Sequence, residues 1–202
     1  PPGGAGALPG GPAPWIAALR ESYEEIGLLL ATDAHGRWAH DEPARRAHLD
    51  QARAGVDAGT ADFAELLAGE QLQLRVDRLR FVAHWVTPPG QLRRYDTRFY
   101  LAAAPPHAPV APDGVEIVAA DWVTPQAAID AHGAGQLPML PPTLGMLHWL
   151  AGFATANAAL RGADALGAVP RYAPGSFGAA DHSGQGDRAD IGEADRSDPA
   201  RR

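Results

Sequence analysis

Residues 19–27 read LRESYEEIG, which sets Glu21, Glu24 and Glu25 at relative positions i, i+3 and i+4. On a helix these fall within about 100° of one another, and like charges so spaced repel by a few tenths of a kcal/mol. Two readings fit. One is a solvated acidic face. The other is a hard-cation site, because carboxylate oxygens at that spacing can converge on Mg²⁺ or Mn²⁺, which take oxygen ligands and leave positions for waters and phosphate oxygens. The helix dipole does not explain the cluster, since it sits toward the C-terminal half.

The element that carries these acids is read as a helix over 14–27, with Pro14 in its first turn and Gly27 as the stop. Trp15, Ile16, Leu19, Tyr23 and Ile26 form its apolar arc, and Arg20 borders the acids. LLLAT (28–32) reads as a short buried strand ending at the turn Asp33–Gly36. Residues 42–72 suggest two helices, roughly 43–54 and 60–70, broken by Gly55 and Gly59, with Thr60 capping the second. In 78–86, Leu79, Phe81, Ala83 and Trp85 alternate as on a half-buried strand, and in 93–102 Tyr95, Thr97, Phe99 and Leu101 do the same. The short connector TPPGQL makes them a hairpin.

VEIVAADWV (115–123) is a third strand candidate, followed by a short helix at 124–133 capped by Thr124 and a longer one over 143–161. The chain opens with a Gly/Pro-rich loop, 1–13, and from about 162 a Gly/Ser/Asp-rich tail without apolar periodicity is expected to be disordered. Strands mixed with helices give an α/β or α+β layered domain.

Composition narrows the chemistry. The 202 residues, 46% apolar, suffice for one ordinary core, and the formal charge of −7 with no basic run argues against a nucleic-acid partner. The chain contains no cysteine, which removes disulfides, thiolate metal sites and thiol nucleophiles. Its eight histidines lack ligand spacing, and neither HExxH nor GxSxG occurs. No apolar run approaches the roughly 18 residues of a membrane span; a soluble cytoplasmic protein is the default reading, with the oligomeric state left open. A second polar cluster, Arg93, Arg94, Asp96 and Arg98, sits on the hairpin, where guanidinium forks suit phosphate oxygens or line a solvated face.

Arg20-Glu21-Ser22-Tyr23-Glu24-Glu25-Ile26-Gly27-Leu28 resembles the second half of the Nudix box, Arg-Glu-U-x-Glu-Glu-x-Gly-U with U apolar. Every charged position and the glycine match; Ser22 departs at the first apolar position. In the first half of the pattern Gly6 fits the first glycine, but Pro12 stands where a glutamate is expected. Either an insertion displaces that half or it lies upstream, with PPGG at 1–4 as a relic of its loop. AHWVTPPGQLRRYDTRFYLAAAP (83–105), VEIVAADWVTPQAAID (115–130) and LPPTLGMLHWL (140–150) are similar to the Nudix branch of peroxisomal acyl-coenzyme A diphosphatases, in which a helical insertion follows the box strand. The C-terminal Ala-Arg-Arg is not the peroxisomal tripeptide.

The resemblance implies a Nudix-like α/β/α sandwich with a mixed sheet over 14–161, a helical insertion at about 42–72, and the first N-terminal strands missing. It implies hydrolysis of a small-molecule diphosphate with Mg²⁺ or Mn²⁺ held by Glu21, Glu24 and Glu25, with Arg20 orienting them. It also implies Arg94 and Arg98 near substrate, organised by Asp96, and an additional role for Glu116. The competing expectation is a truncated or non-catalytic Nudix-like domain that serves as a binding module.

Overall fold

The structure is a computed structural model that describes residues 8–87, 89–90, 93–108, 110–166, 169 and 171–172. Helix α1, Ala13–Ile26, matches the expected element and ends at Gly27, whose φ of 72° is left-handed. The Gly27 amide reaches back to the Ser22 and Tyr23 carbonyls, and the Leu28 amide also bonds the Ser22 carbonyl at 3.1 Å. The chain is therefore still closing the helix at Leu28. This shortens the expected strand 28–32 to β1, Ala31–Thr32, which pairs antiparallel with β2, Gln73–Leu74.

Between them lie α2, Pro43–Asp57, and α3, Phe63–Gly69, the expected helical insertion with shifted ends. Gly55 does not break α2. Its carbonyl accepts from Thr60 and Ala61, and a Cβ there would lie 3.3 Å from that of Ala61, so the glycine permits a close turn. The Thr60 hydroxyl is spent on that carbonyl at 3.1 Å, and Asp62 caps α3 through the Glu65 amide at 2.9 Å.

The hairpin forms as β3, Arg80–Val86, against β4, Asp96–Leu101, and β5, Arg171–Tyr172, joins β3 in parallel. The sheet, ordered β4-β3-β5, is thus mixed. A bulge between Phe81 and Ala83 corrects the simple alternation: Phe81 sits opposite Tyr100 and shares a face with His84, whereas Ala83 and Trp85 point to the other side.

Residues 115–123 form no strand. The Asp113 carboxylate takes the amides of Val115, Glu116 and Ile117, and Asp121 takes that of Trp122. Local side chains thus hold the donors a ladder would need, and Val115 and Val118 are 81% exposed. Helix α4, Pro125–Gly133, is capped by Thr124 as expected. The expected helix 143–161 is two, α5, Pro141–Ala151, and α6, Ala156–Asp164, with Thr155 capping the second. Helix α6 and β5 therefore extend the folded part beyond 162. Residues 1–7 and 173–202 lie outside the described residues.

Two cores flank α1. Tyr23 packs with Leu29, Ala31, Leu49, Val56 and Leu67 toward the insertion helices. Trp15 and Leu19 pack with Leu30, Leu79, Phe81 and Tyr100 toward the hairpin. Each fully buried leucine or valine among them is worth about 1.5–3 kcal/mol in removed apolar surface, so α1 is fixed from both sides. Ile16, expected on this face, is 41% exposed.

Candidate functional site

The acids of α1 differ in environment. Glu21 is exposed, Glu25 is half-buried, and Glu24 is buried at 8% exposure rather than set on an open face. Arg20 Nε lies 3.4 Å from Glu24 Oε1. Burial nevertheless pushes the Glu24 carboxyl above its ordinary range; Arg20 opposes this, while Asp57 and Glu21 add to it. The Glu25 carboxyl is also raised, by burial first and then by repulsion from Glu116, Glu21, Asp113 and Glu24. Glu116 therefore belongs electrostatically with the acids of α1, ninety residues earlier in sequence.

Backbone bonds create this proximity. The Ala111 amide donates to the Ile26 carbonyl and the Asp113 amide to the Glu25 carbonyl, both at 2.9 Å, so loop 111–117 docks on the last turn of α1. Ser22, the departure from the apolar box position, is also explained, since its hydroxyl donates to the Leu28 carbonyl at 3.0 Å and ties the helix end to the outgoing chain.

The hairpin cluster is placed elsewhere. Asp96 accepts from His84 Nε2 at 2.6 Å and pairs with Arg98 Nη1 at 3.3 Å, while Arg94 Nε donates to the Thr87 carbonyl at 3.1 Å. Arg98 lies by Gly10, just ahead of α1. Along the helix, Pro14 and Glu25 are roughly 16 Å apart at 1.5 Å per residue. The structure thus pairs Arg20 with Glu24 and sets Glu25 beside Glu116, while Asp96 and Arg98 lie at the opposite end of α1 and Arg94 is held on the Thr87 carbonyl.

Glu21, Glu24, Glu25 and Glu116 offer only oxygen, and the repulsion that raises Glu25 is what a bound cation relieves, so the chemistry fits Mg²⁺ or Mn²⁺. Among the described residues, however, no three acidic or histidine side chains are gathered closely enough to hold a metal. Beside the helix end opens a small hollow lined by Tyr23, Gly27, Leu28, His40, Arg46 and Asp50.

Two residues of this region escaped the sequence reading. Asp113 had a usable signal, the turn-forming Asp-Gly pair. Arg53, whose Nη1 donates to the Ala111 carbonyl at 2.6 Å, had none, because its partner is 58 residues away.

The layered α/β fold with a glutamate-bearing helix leading into a buried strand defines a Nudix-like domain. Comparisons sharpen this: the sequence model of the NUDT19 Nudix domain family matches residues 2–150, and the chain belongs to that family. It is similar to acyl-coenzyme A diphosphatase NUDT19 of Gallus gallus, 34% identical over 166 residues, covering 74% of this chain and 43% of that protein. The Homo sapiens protein of the same name is 31% identical over 159 residues, covering 74% and 42%. The chain therefore spans less than half the length of these curated relatives. The crystal structure of a NUDIX hydrolase from Alicyclobacillus acidocaldarius resembles it with a TM-score of 0.61 at 29% identity, over 78% of this chain and 69% of that one. Among the described residues, no helix is long and apolar enough to cross a membrane.

Proposed function

We propose that this chain hydrolyses a diphosphate linkage in a coenzyme A derivative or a nucleoside diphosphate derivative, using Mg²⁺ or Mn²⁺. The observation that carries the reading is the docking of loop 111–117 on the last turn of α1, which sets Glu116 beside Glu25 within a box sequence that resembles that of diphosphatases. Residues 14–161 form the working domain, with 42–72 as its insertion.

Glu21, Glu24 and Glu25 are the residues that would hold the ion. A bound divalent ion supplies charge neutralisation at the diphosphate and lowers the pKa of an attacking water. Arg20 orients Glu24 through its ion pair. Glu116, beside Glu25, would take an additional role, that of accepting the water's proton. Arg94 and Arg98, organised by Asp96, serve a more distant anionic group, and the length of α1 suits a substrate as extended as a coenzyme A derivative. The formal charge of −7 with no basic run supports a small-molecule substrate over nucleic acid.

The test is release of phosphomonoester products from coenzyme A, ADP-ribose and NADH with Mg²⁺ or Mn²⁺, for the wild type and Glu24→Gln. Turnover that Glu24→Gln abolishes supports the assignment, and turnover indifferent to it sinks the metal role. Binding of these compounds without turnover by the wild type selects the non-catalytic module instead.

A further inference from the structure

We propose that Arg53, on the helical insertion, is a positioning residue that clamps loop 111–117 across Gly27 and thereby holds Glu116 against Glu25. The inference rests on the function proposed above and deepens it, giving the insertion a part in building the site.

The geometry has three parts. Arg53, half-buried on α2, donates from Nη1 to the Ala111 carbonyl at 2.6 Å. That same Nη1 occupies the space over Gly27, where an added Cβ would stand 2.7 Å from it. Glycine at this position therefore serves twice, for its positive φ and for the passage of the guanidinium. Beyond Ala111 the loop is fastened by the amides of Ala111 and Asp113 to the Ile26 and Glu25 carbonyls. The Asp113 carboxylate then gathers the amides of Val115, Glu116 and Ile117 at 3.0, 3.1 and 2.8 Å, which fixes the backbone that carries Glu116.

Charge supports the arrangement. The Asp113 carboxyl is held below its ordinary range, chiefly by the Ile117 amide and with a contribution from the Arg53 guanidinium. Glu25 is repelled by Glu24, Asp113 and Glu116, and Arg53 is the cation beside Asp113 in this group. Arginine suits the role because its planar fork can meet a carbonyl and an anionic neighbourhood together, whereas lysine offers a single point charge.

The experiment compares wild type, Arg53→Ala and Arg53→Lys by amide hydrogen exchange, by Mn²⁺ affinity from the paramagnetic resonance of the free ion, and by steady-state kinetics. Arg53→Ala is expected to speed exchange at Asp113, Glu116 and Ile117 by about tenfold or more while the α4 and α5 amides keep their wild-type rates. Mn²⁺ affinity and kcat are expected to fall by about tenfold, as for residues that orient metal ligands, with KM within about twofold and partial recovery in Arg53→Lys. Unchanged loop exchange overturns the clamp, and faster exchange with unchanged Mn²⁺ affinity and kcat overturns its positioning role. A wild type that neither binds Mn²⁺ nor turns over substrate overturns the proposed function itself, and the exchange data alone then decide whether Arg53 holds the loop.

Discussion

Tyr23 donates its phenolic hydrogen to the backbone carbonyl of Leu49 at 2.5 Å, joining the glutamate-bearing helix to the insertion across a buried interface. Burial, followed by repulsion from Asp50, pushes the phenol up to about 12, so it remains a donor throughout the physiological range. Tyr23→Phe keeps the ring that stacks on Phe63 at 5.8 Å and removes only the bond. The expected loss is about 1–2 kcal/mol, or a Tm lower by a few degrees for a domain of this size. Calorimetry of the two proteins checks it, and an unchanged Tm would show that water replaces the hydroxyl at no cost.

Glu24→Gln is expected to separate stability from activity. The folded Glu24 carboxyl titrates above its unfolded value, so between the two values the native state binds more protons, and stability falls as pH rises through that window. Glutamine carries no such penalty. In the presence of a chelator, the urea midpoint of the variant should therefore exceed that of wild type at pH 7.5, and the difference should vanish below the ordinary glutamate pKa of about 4.3. Turnover with Mg²⁺ or Mn²⁺ should meanwhile drop by about 10²-fold or more. A variant that is both less stable and fully active contradicts the two halves together.

The sequence exposed what depends on neighbours in the chain. Helix α1 and its glycine stop, α4 with its Thr124-Pro125 start, the hairpin and the presence of two helices within 42–72 follow from composition, periodicity and capping within some ten residues, while the reading of those two helices as an insertion came from the family resemblance. What it hid depends on distance. The alternation in 115–123 resembles a strand, but a strand requires a partner ladder, and the Asp113 and Asp121 side chains hold its donors instead. The bulge that turns Phe81 to the Tyr100 side is invisible to a period-two count. In the site, the three glutamates of α1 were legible from spacing and Glu116 only as a lone acid, while the partnership of Glu116 with Glu25 and the reach of Arg53 to Ala111 exist only after folding. The burial of Glu24 likewise follows from how α1 is wedged between two cores, which no helical wheel contains.

Gly162 stands in α6, where alanine would ordinarily gain about 1 kcal/mol of helix propensity. Here a Cβ would sit 2.5 Å from Cε1 and Cζ of Phe153, whose ring meets Trp149 edge-on at 5.0 Å. The ring must swing away, and an aromatic pair of this kind contributes about 0.5–1.5 kcal/mol beyond its buried area. Gly162→Ala should therefore destabilise by about 1 kcal/mol. In a Phe153→Ala background the same substitution should stabilise. A double-mutant cycle by urea denaturation reads the reversal, and a change of the same sign in both backgrounds refutes the contact.

Asp33 closes the turn after β1 by accepting the amides of His35 at 2.9 Å and Arg37 at 3.0 Å, and it pairs with Arg37 Nη2 at 2.8 Å and Arg45 Nη2 at 3.7 Å. Burial works to raise its carboxyl, but these donors outweigh it and hold the group below its usual range. A depressed folded pKa contributes stability that is complete above the unfolded value of about 3.9 and is lost as pH falls through the folded one. Asp33→Asn keeps the shape of the side chain and discards the charge. The gap in urea midpoint between wild type and this variant should therefore be full at pH 6, begin to close near pH 4 and be smallest near pH 2. Because every other titration is common to both proteins, the difference isolates Asp33, and a gap independent of pH would show that the turn is held by its hydrogen-bond geometry alone.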